Sequence, residues 1–310
     1  MLKKIACLFF TVLCAYLGAQ SSSIRLGVLK GVSCTPGAYL IENKDKLAVQ
    51  NISFQIFDSA QSELPKLLRN QLDIGFLTPE NAAKVYEKTS GSIIVLGVVQ
   101  NGNMSLLTNE ESYASLEDLK DKKIICSGVD EGEPLIFKHL LSKKGIDVQL
   151  DYSIPKSKIG NSLFLKTESF GLLEEPYTSA AIINSTDTHR MSTVQKIYNE
   201  SEGGSTYPVL LLVARTDFVK QNRELVRKFI DVYKNALNWT IKNPAKAALL
   251  SEKHKISTNS AVIKQAIPAS ALLWRDAGAA KGDIEKYLNI LIEEKSPAVS
   301  STLPSEDFYF

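Results

Sequence analysis

Short apolar segments alternate with amphipathic ones after residue 23, and this alternation limits the possible folds more than any other feature. The predicted strands cover residues 24–29, 52–57, 72–77 and 93–99. The helical patterns between them lie after Gly31, at 59–70 and at 79–89. This β-α-β order predicts a parallel, doubly wound sheet with helices packed on its faces.

A turn-rich break at residues 100–103 separates this unit from a second block with a similar pattern. A strand at 104–108 follows the break, and in the second block we predict strands at 123–126, 148–152, 170–173 and 194–198, with a helix at 135–144. The stretch from 153 to 167 shows no clear period and is interpreted as irregular. The chain therefore contains a second α/β unit between about 109 and 205.

A late apolar strand, YPVLLLVA at 207–214, is followed by a tail that is nearly all helix. The strand needs a sheet and the helices need an apolar surface, and a return to the first unit supplies both. We therefore predict two lobes, each a doubly wound mixed sheet flanked by helices, with a cleft between them. The expected division is lobe 1 at 21–106 and 208–310, and lobe 2 at 107–207.

The first twenty residues have the pattern of a cleaved secretory signal. Lys3 and Lys4 precede an apolar run at 5–17, and small residues follow it. The run is too short to span a bilayer comfortably. We expect cleavage after Ala19 or Gln20 and a periplasmic or extracytoplasmic location. Cys14 raises the alternative of a lipid anchor, although Leu13 departs from the usual lipoprotein pattern.

Charge and motif content exclude several classes of function. Lysine and arginine total 36 against 34 acids, without a long run of one sign, so a nucleic-acid partner is not expected. The three histidines are far apart, and no HExxH, CxxC, GxSxG or GxGxxG sequence occurs. We expect neither a metal nor another cofactor. Of the four cysteines, Cys34 and Cys126 lie outside the signal, and we expect both to be buried or partly buried thiols.

Five segments, in order along the chain, resemble periplasmic (type II) solute-binding proteins of ABC importers. The similar branch serves nitrate, sulfonate, taurine and thiamine-precursor uptake. The segments are DIGFLTPENAAKVYEK (73–88), SLEDLKDKKIICSG (115–128), LLEEPYTSA (172–180), the strand and long helix at 207–248, and LPSEDFYF (303–310). The resemblance implies a monomeric receptor that closes on a small organic molecule and delivers it to a membrane permease and its ATPase.

The resemblance also implies which residues contact the solute. The loops after the first and third strands each lead into a helix that begins with proline, where backbone N–H groups and capping hydroxyls can hold a polar ligand. A plain βα turn and ordinary helix capping explain the same residues without a ligand. The candidate ligand-binding residues are Ser33, Thr35, Tyr39, Thr78, Asn81, Asn103, Ser127, Gly128, Glu175 and Tyr177.

Acidic residues near this site argue against a simple anion as the solute. Asp130, Glu131 and Glu133 follow the Ser127–Gly128 step, where the similar family grips an oxyanion. Each carboxylate would repel an anion by about 1 kcal/mol, depending on screening. A neutral or partly cationic organic ligand is therefore favoured, although the acids can equally be a solvated helix start.

The adjacent acids Glu174 and Glu175 raise the possibility of a catalytic pair. Neighbouring residues on a strand point to opposite faces, so the two should not share a proton. We expect Glu175 to face the ligand beside Tyr177, and Glu174 to be solvated. No catalytic residue is assigned.

Two other functions remain open from sequence. One is an enzyme on the same two-lobe scaffold, of the menaquinone-pathway dehydratase or fungal pyrimidine-synthase type. The export signal argues against both, and the Cys- and His-rich motif of the synthases is absent. The other is an exported module that senses a ligand without transporting it.

Overall fold

The computed structural model describes residues 23–113, 115–128 and 132–310. The predicted signal peptide, Cys14 and the acids Asp130 and Glu131 lie outside the described residues.

The first sheet has six strands in the order β11-β4-β10-β3-β1-β2. They are β1 (Ile24–Leu29), β2 (Ile52–Phe57), β3 (Ile74–Leu77), β4 (Ile93–Asn101), β10 (Pro208–Arg215) and β11 (Leu272–Asp276). Strand β1 pairs in parallel with β2 and β3, whereas β10 is antiparallel to both β3 and β4. The late apolar strand therefore returns to the first unit and lies between two of its strands.

The second sheet has five strands in the order β7-β6-β8-β5-β9. They are β5 (Ser105–Thr108), β6 (Lys123–Ile125), β7 (Gln149–Asp151), β8 (Phe170–Leu173) and β9 (His189–Thr193). Strand β6 is parallel to β7 and β8, and β5 is antiparallel to β8 and β9. Because all of β5 belongs here, the chain changes sheets at residues 102–104.

Helices flank both sheets. They are α1 (Thr35–Glu42), α2 (Ala60–Leu68), α3 (Pro79–Lys88), α4 (Gly132–Lys143), α5 (Lys156–Phe164), α6 (Tyr177–Asn184), α7 (Val194–Ser201), α8 (Thr216–Gln221), α9 (Arg223–Lys242), α10 (Pro244–Lys253), α11 (Ser260–Ala269) and α12 (Ala277–Glu293). Among the described residues, no helix has both the length and the apolar character that crossing a bilayer requires.

Helix α12 joins the two sheets on one side of the molecule. A continuous cluster of buried apolar side chains includes Val95 of β4, Leu288 of α12, Phe137 of α4 and Leu106 of β5. Burying apolar surface is the main favourable term in folding, so this shared cluster ties the two lobes into one structure.

Three sequence predictions of local structure were wrong. Residues 194–198, predicted as a strand, begin helix α7, because Val194, Ile197 and Tyr198 follow the i, i+3, i+4 spacing of a buried helix face. The stretch interpreted as irregular contains α5, which buries Ile159 and Leu163 at helical spacing. The end of the predicted 261–274 helix is instead the edge strand β11, which pairs with β4.

Candidate binding cleft

A cleft of about 680 Å³ lies between the two sheets. Its walls come from segments that follow β1, β2, β3 and β8, from the end of β4, and from β10, α6 and α11. Helix α11 of the first lobe lies against α6 of the second, and both contribute lining residues. Strand ends in α/β sheets are where ligands commonly bind, so the topology places this cleft where a solute would be expected.

Half of the predicted ligand-binding residues lie in the cleft wall, and half do not. The residues in the wall are Ser33, Thr78, Asn103, Glu175 and Tyr177. The lining does not include Thr35, Tyr39, Asn81, Ser127 or Gly128.

The side chains outside the lining have other surroundings. Thr35 is fully buried, and Tyr39 packs on Trp239 with a centroid distance of 4.6 Å, between α1 and α9. Ser127 is half-buried, with its Oγ buried and without a hydrogen-bond partner in the described chain. Gly128, also half-buried, has a positive φ of 82°. The structure therefore gives Tyr39 a packing role.

Thr78 caps α3 and remains able to donate to a ligand. Its Oγ1 accepts hydrogen bonds from the Asn81 backbone N at 3.4 Å and from Asn81 Nδ2 at 3.0 Å. A hydroxyl that accepts from two donors keeps its own hydrogen for another partner. Asn81 therefore acts on the cleft indirectly, because its hydrogen bonds hold the Thr78 hydroxyl in place.

Glu175 lines the cleft but is already bonded within lobe 2. It is 3% exposed, and its two oxygens accept from the Ser179 backbone N at 3.1 Å and from Arg190 Nη2 at 3.0 Å. Burial raises the pKa of Glu175, against the opposing effect of these bonds and of the Arg190 charge. Its established contacts hold the start of α6 in place.

The expectation that Glu174 is solvated and faces away was wrong. Glu174 also lines the cleft, and it pairs with Lys156 Nζ at 2.5 Å. Strand β8 ends at Leu173, so neither acid belongs to the strand and the alternation of faces does not apply. The two carboxylates pair with different cations, which argues against a shared proton.

The described lining carries more negative than positive side chains. The charged residues are Lys30, Lys156, Asp58, Glu133, Glu174 and Glu175. Lys30 pairs with Asp58 at 2.5 Å, and Arg190 adds a cation behind Glu175. The acids therefore give the cleft a mildly negative balance and do not form a bare acidic surface.

Sequence reasoning missed several lining residues. Lys30 and Asp58 directly follow β1 and β2, so the strand-end rule that selected Thr78 could have found them. Gln100, the residue before the last in β4, lines the cleft, and its Nε2 donates to Ser270 O at 2.9 Å. The loop and helix start at 256–263 carry no recognisable motif, and only the fold brings them to the cleft.

Cys34 and Cys126 are both buried and are not joined by a disulfide, as predicted. Burial raises the pKa of the Cys34 thiol far above its ordinary value. A buried, protonated thiol is inert as a nucleophile, so Cys34 acts as a packing residue.

The sequence profile of one family, described as NMT1/THI5 like, matches residues 50–247. The chain belongs to this family. The match runs from near the start of β2 into α10 and includes both passages of the chain between the sheets.

Curated relatives and solved structures extend this result. A Brucella abortus (strain 2308) protein described only as a binding protein is 23% identical over 205 residues, which cover 64% of this NMT1/THI5-like chain and 60% of the relative. An ABC transporter structure from Parabacteroides distasonis has a TM-score of 0.79 at 18% identity, covering 94% of this chain and 99% of that one.

The periplasmic aliphatic sulphonate binding protein SsuA of Escherichia coli is also similar, with a TM-score of 0.74 at 14% identity and coverage of 93% and 92%. The periplasmic nitrate-binding protein NrtA of Synechocystis gives 0.62 at 11% identity, with coverage of 91% and 84%. These likenesses confirm the predicted two-lobed periplasmic-binding-protein fold for this NMT1/THI5-like chain.

Proposed function

We propose that this protein is an extracytoplasmic receptor that closes on a small organic solute and delivers it to an ABC-type permease. The family, the fold and the interlobe cleft support this function. Closure follows if the solute contacts both lobes, because it then binds the closed state more tightly than the open one. The sequence pattern of residues 1–20 supports export to the compartment where such receptors work.

The observation that carries the proposal is the environment of Asn103. Its side chain lines the cleft and the residue is only 6% exposed. No hydrogen bond joins that side chain to any other residue in the described part of the chain. The amide therefore faces the cleft without a protein partner among the described residues, where a ligand can take the place of water as its hydrogen-bond partner.

The charge balance of the cleft supports a neutral or partly cationic solute that is rich in hydrogen-bond donors. Asn103, Thr78 and Ser33 add polar groups from the first lobe and the passage between lobes, and Tyr177 adds an aromatic ring from the second. Aminopyrimidines of the thiamine-precursor type combine a flat ring with several donors, and they fit this set of groups.

Native mass spectrometry of the purified protein, followed by a thermal-shift panel, tests the receptor function. The panel should contain 4-amino-5-hydroxymethyl-2-methylpyrimidine, cytosine, adenine, taurine, ethanesulfonate, nitrate and benzoate. Binding raises the melting temperature because the ligand stabilises only the folded state. A co-purified compound or a saturable shift supports the receptor. The absence of both a co-purified compound and a thermal shift would contradict the receptor function, and so would turnover of a bound compound.

Asn103→Ala should weaken the compound that gives the largest shift by about 1–2 kcal/mol, or roughly 5- to 30-fold in Kd. The reason is the loss of hydrogen bonds in a site shielded from water. Isothermal titration calorimetry measures the change. Asn235→Ala, at an exposed position on α9, is the control. Equal affinity of both variants and the wild type would remove Asn103 from the site.

A further inference from the structure

The chain passes between the two sheets twice, and the two passages lie side by side. The first is at residues 102–104, and the second leads through Tyr207 into β10. The Gly102 backbone N donates to Tyr207 O at 3.0 Å. Any rotation of one lobe against the other must change backbone dihedrals in these segments.

An aromatic cluster packs against both passages. Tyr207 stacks on Tyr287 of α12 at a centroid distance of 5.8 Å and an interplanar angle of 7°. The ring centroid of Tyr198 lies 5.0 Å from that of Tyr207. A Cβ on Gly102 would overlap the ring of Tyr207, and one on Gly132 would overlap the Tyr287 hydroxyl. The two glycines therefore allow the passages and the start of α4 to approach the rings closely.

Glu133 connects this cluster to the cleft. It lies in the first turn of α4 and lines the cleft. Its Oε1 accepts from Tyr207 Oη at 2.9 Å and from the Met104 backbone N at 3.4 Å. One carboxylate of the second lobe thus touches both passages and the space where a solute would lie.

The contacts continue into the first lobe. Tyr287 Oη donates to Glu80 Oε2 at 3.3 Å. Glu80 lies in the first turn of α3, two residues after the cleft residue Thr78 that caps this helix. The path from Glu133 through Tyr207 and Tyr287 to Glu80 therefore begins in the cleft wall of the second lobe and ends in the first lobe, in the helix that Thr78 caps.

We propose that Glu133 is a positioning residue that transmits the charge state of the cleft to the passages between the lobes. A donor or cation that binds the Glu133 carboxylate at Oε1 competes with Tyr207 and Met104 for that oxygen. The bonds that set the resting angle between the lobes then change. The proposal rests on the receptor function, since it describes how occupancy of that cleft would favour closure.

The test uses the ligand-free protein, so it does not depend on finding the solute. Spin labels are attached at Lys46→Cys in the first lobe and Lys158→Cys in the second, both exposed positions. The labelled protein is produced without residues 1–20, which contain Cys7 and Cys14, and the remaining thiols, Cys34 and Cys126, are buried. Pulsed electron paramagnetic resonance then gives the distribution of distances between the lobes.

Tyr207→Phe and Glu133→Gln should each shift the mean distance or broaden its distribution by about 2–5 Å. The first removes the hydroxyl that binds Glu133, and the second imitates the loss of charge that a bound cation would cause. The double variant should shift no further than Glu133→Gln alone, because Tyr207→Phe removes one of the two hydrogen bonds that Glu133 accepts.

Tyr198→Phe is the matched control. It removes a hydroxyl from the same aromatic cluster, and that hydroxyl is buried without a hydrogen-bond partner in the described chain. Its distance distribution should match the wild type. The proposal is overturned if Glu133→Gln and Tyr207→Phe also match the wild type, or if Tyr198→Phe shifts as far as Tyr207→Phe. Either result would leave the receptor function standing.

Discussion

Glu63→Gln should remove a large pH dependence from the stability of this protein. Glu63 lies on α2 and is 1% exposed, and its Oε2 accepts from the Phe76 backbone N at 2.9 Å. Its Oε1 is buried without a hydrogen-bond partner in the described residues. A Cβ on Gly27 or Gly75 would collide with this carboxyl group, so the two glycines make space for it on the sheet.

Burial raises the pKa of Glu63 to about 8, against a smaller opposing effect of the Phe76 hydrogen bond. The ordinary value is 4.5, so the folded protein holds a proton that the unfolded chain releases above that pH. Stability from this group is therefore greatest below pH 4.5, falls as the pH rises towards 8, and changes little above it.

The difference in unfolding free energy between Glu63→Gln and the wild type should change by roughly 3–5 kcal/mol over that range. The amide cannot ionise, so the variant should gain relative to the wild type as the pH rises. Urea denaturation at a series of pH values measures the difference. Glu87→Gln, at an exposed position on α3, is the control. A pH-independent difference would show that Glu63 ionises normally in the fold.

The second large effect on the free energy of unfolding is expected from substitution of Asp73, which lies just before β3. Asp73 is 2% exposed and accepts from Arg25 Nε at 2.9 Å, Arg25 Nη2 at 2.6 Å and Arg215 Nη2 at 3.2 Å. These contacts join three interior strands of the first sheet, β1, β3 and β10, near their ends. Asp73→Ala should cost about 2–4 kcal/mol, because it leaves two guanidinium groups without their shared carboxylate.

The pH dependence of Asp73 has the opposite sign to that of Glu63. Burial opposes its ionisation, but the bonds and charges of Arg25 and Arg215 outweigh burial and hold the pKa of Asp73 below its ordinary value. Its contribution is therefore present above the unfolded pKa of about 3.9 and is lost as the pH falls through the folded value.

Denaturation of Asp73→Ala at pH 7 and at pH 3 measures both effects, and the destabilisation should be smaller at pH 3. Asp45→Ala, at an exposed position, is the control. A loss at pH 7 no larger than that of Asp45→Ala would mean that the arginines are satisfied elsewhere.

The sequence predicted the strands that are apolar and flanked by turns, such as β1 and β2, because a short segment of this kind fits few structures other than a strand. It failed where a pattern fits two structures, as at Val194, where a β-branched residue opens a helix. The strand-end rule located Thr78 and Ser33 in the cleft. It could not show that Tyr39 turns towards Trp239, or that Glu174 meets Lys156, because both outcomes depend on packing between elements distant in sequence.

The position of β10 also bears on the order in which the protein can assemble. The first sheet has β10 between β3 and β4, yet this strand is made after every strand of the second sheet. During synthesis or export, the first hundred residues therefore emerge with an open place in their sheet. The second sheet, whose strands lie in one continuous stretch, can close earlier. We expect the second lobe to complete its fold first. The first lobe can complete its sheet only after β10 has been made.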